Sequence, residues 1–233
     1  MTDAEFEELL SRSPVLFHMA EAGSWPSIRD KGLLSTSALL DLYGVEGAER
    51  DRIEAERRPG PVVLDDPAQG RVVIRDNAPL NIRKLGRALP PDLPVEDWLR
   101  LLNGRVFFWL SRERLGRLLG ARLYREVAHD VLEVGTASLV AAHRALIELS
   151  PINSGVTDPF PAPRGPDTFR RIVDYPYAEW RRKRGRNGEA AVELAVPGGV
   201  PDIARHVRRV VRMRGDREEG TVWERVASDP AES

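Results

Sequence analysis

The chain has 233 residues, enough for one large domain or two small ones with a buried core, and its 42% hydrophobic and 30% charged content is that of a globular protein rather than a disordered one. It contains no cysteine, which excludes disulfides, thiolate zinc sites and cysteine nucleophiles. A net charge of −1 argues against a dedicated bulk nucleic-acid binder, although 32 arginines against three lysines supply many planar forks suited to phosphate.

Residues 3–12 read as a short helix with Phe6, Leu9 and Leu10 on one face, ended by Pro14. This acidic, amphipathic start lacks the basic and apolar regions of a signal peptide. No apolar run approaches the roughly 18–20 residues that span a bilayer, so a cytoplasmic protein without a membrane partner is expected. Residues 15–19 are a buried-strand candidate. A helix follows with Ser24 as its expected N-cap, Pro26 in its first turn and Gly32 at its end, and another begins at Ser37. The charged stretch 46–59 reads as helical, 71–75 as a strand, 90–94 as a loop and 95–102 as a helix. Residues 105–110 carry the strongest strand signal. A helix over 112–126, a strand over 130–134 and a helix over 138–148 come next. Residues 150–166 are rich in Pro, Gly, Ser and Asn, a long connection of the kind that is functional or disordered. The basic run 181–187 precedes a strand over 189–196, and the charged tail from Gly215 is expected to fray.

Neither GxGxxG nor GxxxxGK[ST] occurs, and strands and helices do not alternate strictly. A single α+β domain over 1–233 is expected. No metal-ligand spacing is evident: His129 and His143 are fourteen apart, and neither has a partner at i+3 or i+4 on one clear face. No metal is therefore expected.

Three features carry chemistry. The first is His18 on the strand of Leu16-Phe17-His18-Met19, followed by Trp25-Pro26-Ser27-Ile28 and Lys31-Gly32-Leu33-Leu34-Ser35. A histidine there can hydrogen-bond a ribose hydroxyl or an amide; the alternative is a satisfied core histidine. The second is Arg75 at a strand end, with Arg71 and Arg83 as rivals, since a guanidinium holds a diphosphate bidentately. The third is the pair Glu189 and Glu193, four apart, which a regular strand would point to one face.

The first of these motifs resembles the start of the DarT-type DNA ADP-ribosyltransferases and, more loosely, the RNA 2′-phosphotransferases. The whole chain also resembles an uncharacterised bacterial family of the same layout. Ser24 departs from the asparagine that the DarT-type pattern carries near that place. The resemblance implies an ADP-ribosyltransferase-like α+β fold, two small, mostly antiparallel sheets around a cleft with surrounding helices. It implies NAD as co-substrate, held by His18, Ser24, Ser27 and Arg75, with Glu193 or Glu189 and Arg75 in catalysis. It also implies a nucleic-acid acceptor, with single-stranded DNA favoured by analogy, presented near 150–166, Tyr175 and Trp180. A toxin role with an antitoxin partner would follow. The rival readings are a 2′-phosphotransferase and an inactive nucleotide- or partner-binding module of the same fold.

Overall fold

A computed structural model describes residues 1–185 and 188–226 of the chain. The first helix, α1 (Asp3–Arg12), starts at a capping box, with Glu5 N donating to Thr2 Oγ1 and Thr2 N to Glu5 Oε2. Then come β1 (Val15–Glu21), α2 (Trp25–Lys31), β2 (Leu33–Leu34), α3 (Thr36–Leu42) and α4 (Gly47–Glu54). The hairpin β3 (Val62–Asp66) and β4 (Gly70–Ile74) leads to α5 (Ile82–Ala88), α6 (Val95–Asn103), β5 (Arg105–Trp109) and α7 (Arg112–Leu119). The second half holds β6 (Ala128–Gly135), α8 (Thr136–His143), β7 (Glu148–Ser150), β8 (Arg170–Arg171) and α9 (Tyr177–Arg184). It ends with β9 (Glu193–Pro197), β10 (Gly199–Val200), β11 (Val207–Arg214) and β12 (Arg217–Glu224).

The α+β class is as expected, but the sheet arrangement is not two small sheets. Eight strands form one antiparallel sheet in the order β12-β11-β6-β1-β5-β9-β7-β8, beside two two-stranded ribbons, β10-β2 and β3-β4. The eight strands are continuous only through one residue pair, Phe17 with Trp109, between β1 and β5, whereas β1 and β6 pair along all seven residues of β1. Below the sheet, a single core runs across both halves and takes in Leu16, Phe108, Leu132, Leu194 and residues of α1 and α8. Above it, Leu115 and Leu119 of α7 cover the β1-β6-β11 half, while Leu85 of α5 and Trp98 of α6 cover the β5-β9 half. A gap is left between those two covers, over the β1/β5 seam. The β3-β4 hairpin packs Leu64 and Ile74 against Leu40 and Ile53 of α3 and α4 beside it.

Three sequence expectations are corrected by the structure, two of them through tertiary pairing. The helix expected over 138–148 stops at His143, because Glu148 is drawn into an ion pair with Arg105 at 2.7 Å and Leu149 into register with Leu194. The helix from Arg112 stops at Leu119 with Gly120 as its C-cap. The tail is not frayed through 224: β12 pairs with β11, and Trp223 lies against Trp25, ring centroids 5.1 Å apart. Of the basic run, Arg186 and Asn187 lie outside the described residues. Among the described residues no helix is long and apolar enough to cross a membrane.

Two glycines bring β2 against β10. Gly199 has φ +124°, and a Cβ there would stand 2.8 Å from Leu34 Cα; at Gly32, φ +91°, it would stand 2.6 Å from Pro201 Cα. Backbone flanks both positions, so neither neighbour can rotate away. Gly199→Ala is expected to lower stability by about 3 kcal/mol, the upper end of overpacking effects, measured by urea unfolding. A loss below about 0.5 kcal/mol would show that the ribbon yields.

Candidate active site

The gap over the seam is a cavity of about 690 Å³. Where β1 and β5 part, the His18 ring fills the space, and its Nδ1–H donates to the Phe107 carbonyl at 2.9 Å. A carbonyl only accepts, so Nδ1 carries the proton and Nε2 is an acceptor. Burial, opposed by that hydrogen bond and assisted by the Arg75 charge, pushes the His18 pKa down to about 4. The imidazole is therefore neutral at physiological pH while part of its surface lines the cavity.

Ser24 and Ser27 line the same cavity from α2. Ser24 sits at the N-cap position, but its side chain makes no capping bond, contrary to the sequence expectation. Its φ of −76° and ψ of −16° are already helical, whereas a capping serine takes an extended backbone. The turn ahead of it is fixed instead by Asp130, fully buried on β6, which accepts from Gly23 N at 2.8 Å and from Arg212 Nε at 2.5 Å.

Arg75 follows β4 directly and also faces the cavity. Its guanidinium lies 4.9 Å from the Tyr124 ring centroid, donates to the Met19 carbonyl at 3.3 Å and stands 3.8 Å from Asp76. Asp76 accepts the Tyr124 hydroxyl at 2.7 Å. Of the rival arginines, Arg71 reaches the cavity and Arg83 is absent from its wall. Arg58, which sequence reasoning passed over, lines it too, yet its buried guanidinium is taken up by Asn103 Oδ1 and the carbonyls of Arg75 and Ile53. It is a brace for the Arg75 backbone rather than a free cation.

Glu193 is the first residue of β9, in register with Trp109 on one side and Ser150 on the other. It is 3% exposed. Ser154 N donates to its Oε2 at 3.1 Å, and among the described residues no ion pair reaches it. Two guanidiniums act on it only through space. Arg164 is spent on the carbonyls of Ser154, Val156 and Ala162, and Arg114 on Glu189. Burial therefore dominates, and the carboxyl pKa is pushed up to about 7.

Glu189 does not share that face. The strand begins four residues later than expected, because Tyr175 Oη takes the Ala190 carbonyl at 2.7 Å and Arg184 Nη1 the Glu189 carbonyl at 3.0 Å, acceptors that a ladder would need. Glu189 lines an adjoining cavity and is ion-paired with Arg114. The 150–166 connection supplies Asn153, Ser154 and Gly155 to the main cavity and is tied down by Arg164. Tyr175, expected as a stacking aromatic, is 2% exposed and belongs to the core, while Trp180 carries Lys183 and Arg184 on its ring.

One family profile matches residues 14–207. The chain belongs to DUF7002, a family of unknown function. The DUF7002 match runs from the residue before β1 to the first residue of β11, so it takes in His18, the serines of α2, Arg75 and Glu193 and leaves out α1 and β12. No curated protein matches the chain.

Proposed function

We propose that this cavity binds NAD and that the protein is an ADP-ribosyltransferase using Glu193 as its catalytic carboxylate. The observation that carries the reading is the unpaired, buried Glu193 on the wall of the cavity that neutral His18 also lines. Leaving a carboxylate buried without an ion pair is unfavourable, and such groups concentrate where chemistry uses them. In the reaction the ribose C1′–N bond breaks, and its electron pair leaves on nicotinamide. Cationic character spreads over C1′ and the ring oxygen, where a carboxylate stabilises it, as in glycoside hydrolysis. The acceptor's nucleophile then bonds to C1′, and its proton passes to Glu193. His18 Nε2 accepts a ribose hydroxyl, and Arg75 faces a phosphate or ribose oxygen. A volume of about 690 Å³ lies in the range of small-molecule pockets.

The acceptor favoured by the sequence resemblance is single-stranded DNA, and a toxin restrained by an antitoxin protein would follow from it. The arginine-bearing face around Trp180 supports a nucleic-acid strand by charge and stacking.

The test is nicotinamide release by purified protein, with single-stranded DNA, RNA and cell extract as acceptors. Wild type is expected to release it, and Glu193→Gln to lose at least about 10²-fold in rate, the usual scale of an acid–base group. Glu189→Gln should stay within a few-fold, because that side chain lines the other cavity. Release that survives Glu193→Gln but not Glu189→Gln would reverse the assignment. No release under any condition would end the transferase reading, and a saturable thermal shift with NAD would then point to a binding module. Poor growth on expressing wild type, relieved by Glu193→Ala, is the expected sign of toxicity.

A further inference from the structure

Away from the cavity, α8 and the segment after β10 bring together three side chains, Asp202 and His206 four residues apart and His143 59 residues before Asp202. His143 Nε2 lies 2.6 Å from one oxygen of Asp202, and His206 Nε2 lies 3.3 Å from the other. The two imidazole rings stand nearly perpendicular, 83° apart, with centroids at 5.4 Å, and the ligand atoms of the three residues all lie within 4.8 Å of one another. None of the three lines the candidate active site.

We propose that His143, Asp202 and His206 form a binding site for a divalent first-row transition metal, with Zn²⁺ as the favoured ion. The donor set, two imidazoles and one carboxylate, suits zinc and not a hard cation such as Mg²⁺ or Ca²⁺, which prefers oxygen. Ligands at about 2.0–2.1 Å around a tetrahedral ion stand roughly 3.3 Å from one another. Through Oδ2, Asp202 already stands at that spacing from His206 Nε2, and the ligand atoms, all within 4.8 Å of one another, need to draw together by at most about 1.5 Å. The half-exposed edge of Asp202, 34% accessible, leaves the fourth position to water.

The surroundings fit the chemistry. A metal takes the Nε2 lone pairs, so each ring must carry its remaining proton on Nδ1. At His206 the atom facing Nδ1 is Ser138 Oγ, 2.7 Å away, which can accept that proton's hydrogen bond and fix the ring. The segment bearing Asp202 and His206 packs on α2, and Pro201 abuts Gly32 at its end. An ion here would clamp α8 to the element that supports one wall of the cavity.

The experiment uses the full chain, stripped with chelator and titrated with Zn²⁺, then with Co²⁺ as a spectroscopic probe. Wild type is expected to bind about one ion per chain, to rise in Tm with zinc, and to give the intense visible bands of tetrahedral Co²⁺. His143→Gln and His206→Gln should abolish binding, and Ser138→Ala should weaken it about 10–100-fold. Zinc binding unchanged in both histidine variants, or Co²⁺ bands absent in wild type, overturns the proposal and leaves a hydrogen-bonded His–Asp–His cluster. If the histidine variants do not fold, the wild-type Co²⁺ spectrum decides alone.

Discussion

Glu193→Gln is expected to make the folded protein more stable at about pH 8 while removing its chemistry. The two effects share one cause. In the native state the carboxyl titrates at about 7, against 4.5 for an ordinary glutamate. Between those values the folded protein holds a proton there that the unfolded chain has lost. Stability therefore falls as pH rises from 4.5 to 7, and the full loss is present above 7. At 1.36 kcal/mol per pKa unit the loss is about 3 kcal/mol. Glutamine has the shape of the protonated acid and can still accept from Ser154 N, so the variant escapes that loss. It should gain up to about 3 kcal/mol over wild type at pH 8 and nothing near pH 4.5, measured by urea unfolding at both.

His18 and His129 supply the opposite slope. Burial holds each near 4, below the ordinary 6.5, so the unfolded chain takes up protons first as pH falls and stability drops with them. In wild type these slopes oppose that of Glu193 over their shared window. Glu193→Gln should expose the histidine slope, giving a steeper rise of stability with pH. On the same reasoning, kcat/KM for nicotinamide release in wild type should rise through a pKa near 7 as Glu193 ionises. A variant less stable than wild type at pH 8 would mean that Arg164 or Arg114 stabilises the anion, and the buried-base argument would fail.

Local signals carried most of the framework. The helix over residues 3–12, the aromatic run Arg105–Trp109 and the Pro26/Gly32 punctuation of α2 stand where the sequence places them. His18, Ser24, Ser27, Arg75 and Glu193 all line one cavity, although they span 175 positions of chain. What local patterning could not show was long-range pairing. A period-two count treats 189–196 as one strand, but the hydroxyl of Tyr175 and the guanidinium of Arg184 withdraw its first carbonyls from the ladder. The seam between β1 and β5 depends on where two strands diverge, and only the single pair Phe17–Trp109 marks it. The His143–Asp202–His206 cluster escaped for a related reason: Asp202 and His206 are an i, i+4 pair, but His143, which completes the set, is 59 residues away from Asp202 and only the fold brings it in.

Asp130→Ala is expected to cost about 1–3 kcal/mol of stability, the scale for leaving a hydrogen-bonding partner of a buried group unsatisfied. Asp130 is fully buried in the middle of the sheet, and its two oxygens serve two different elements. One takes Arg212 of β11, whose side chain is 32% exposed and can rehydrate when released. The other takes the amide of Gly23, in a turn with φ +87° that no other contact of the carboxylate replaces. Losing it leaves that amide unpaired and frees the turn that carries Ser24 and Ser27 into the cavity. Asp130→Asn separates the two roles. Its amide oxygen can still accept from Gly23, while the charge that holds Arg212 is gone, so it should lose stability with little change in NAD binding. Asp130→Ala should also raise KM for NAD more than it lowers kcat, since it displaces a binding wall and not Glu193. An alanine variant within about 0.5 kcal/mol of wild type would show that water or a shifted backbone satisfies the turn, and Asp130 would then have no part in placing α2.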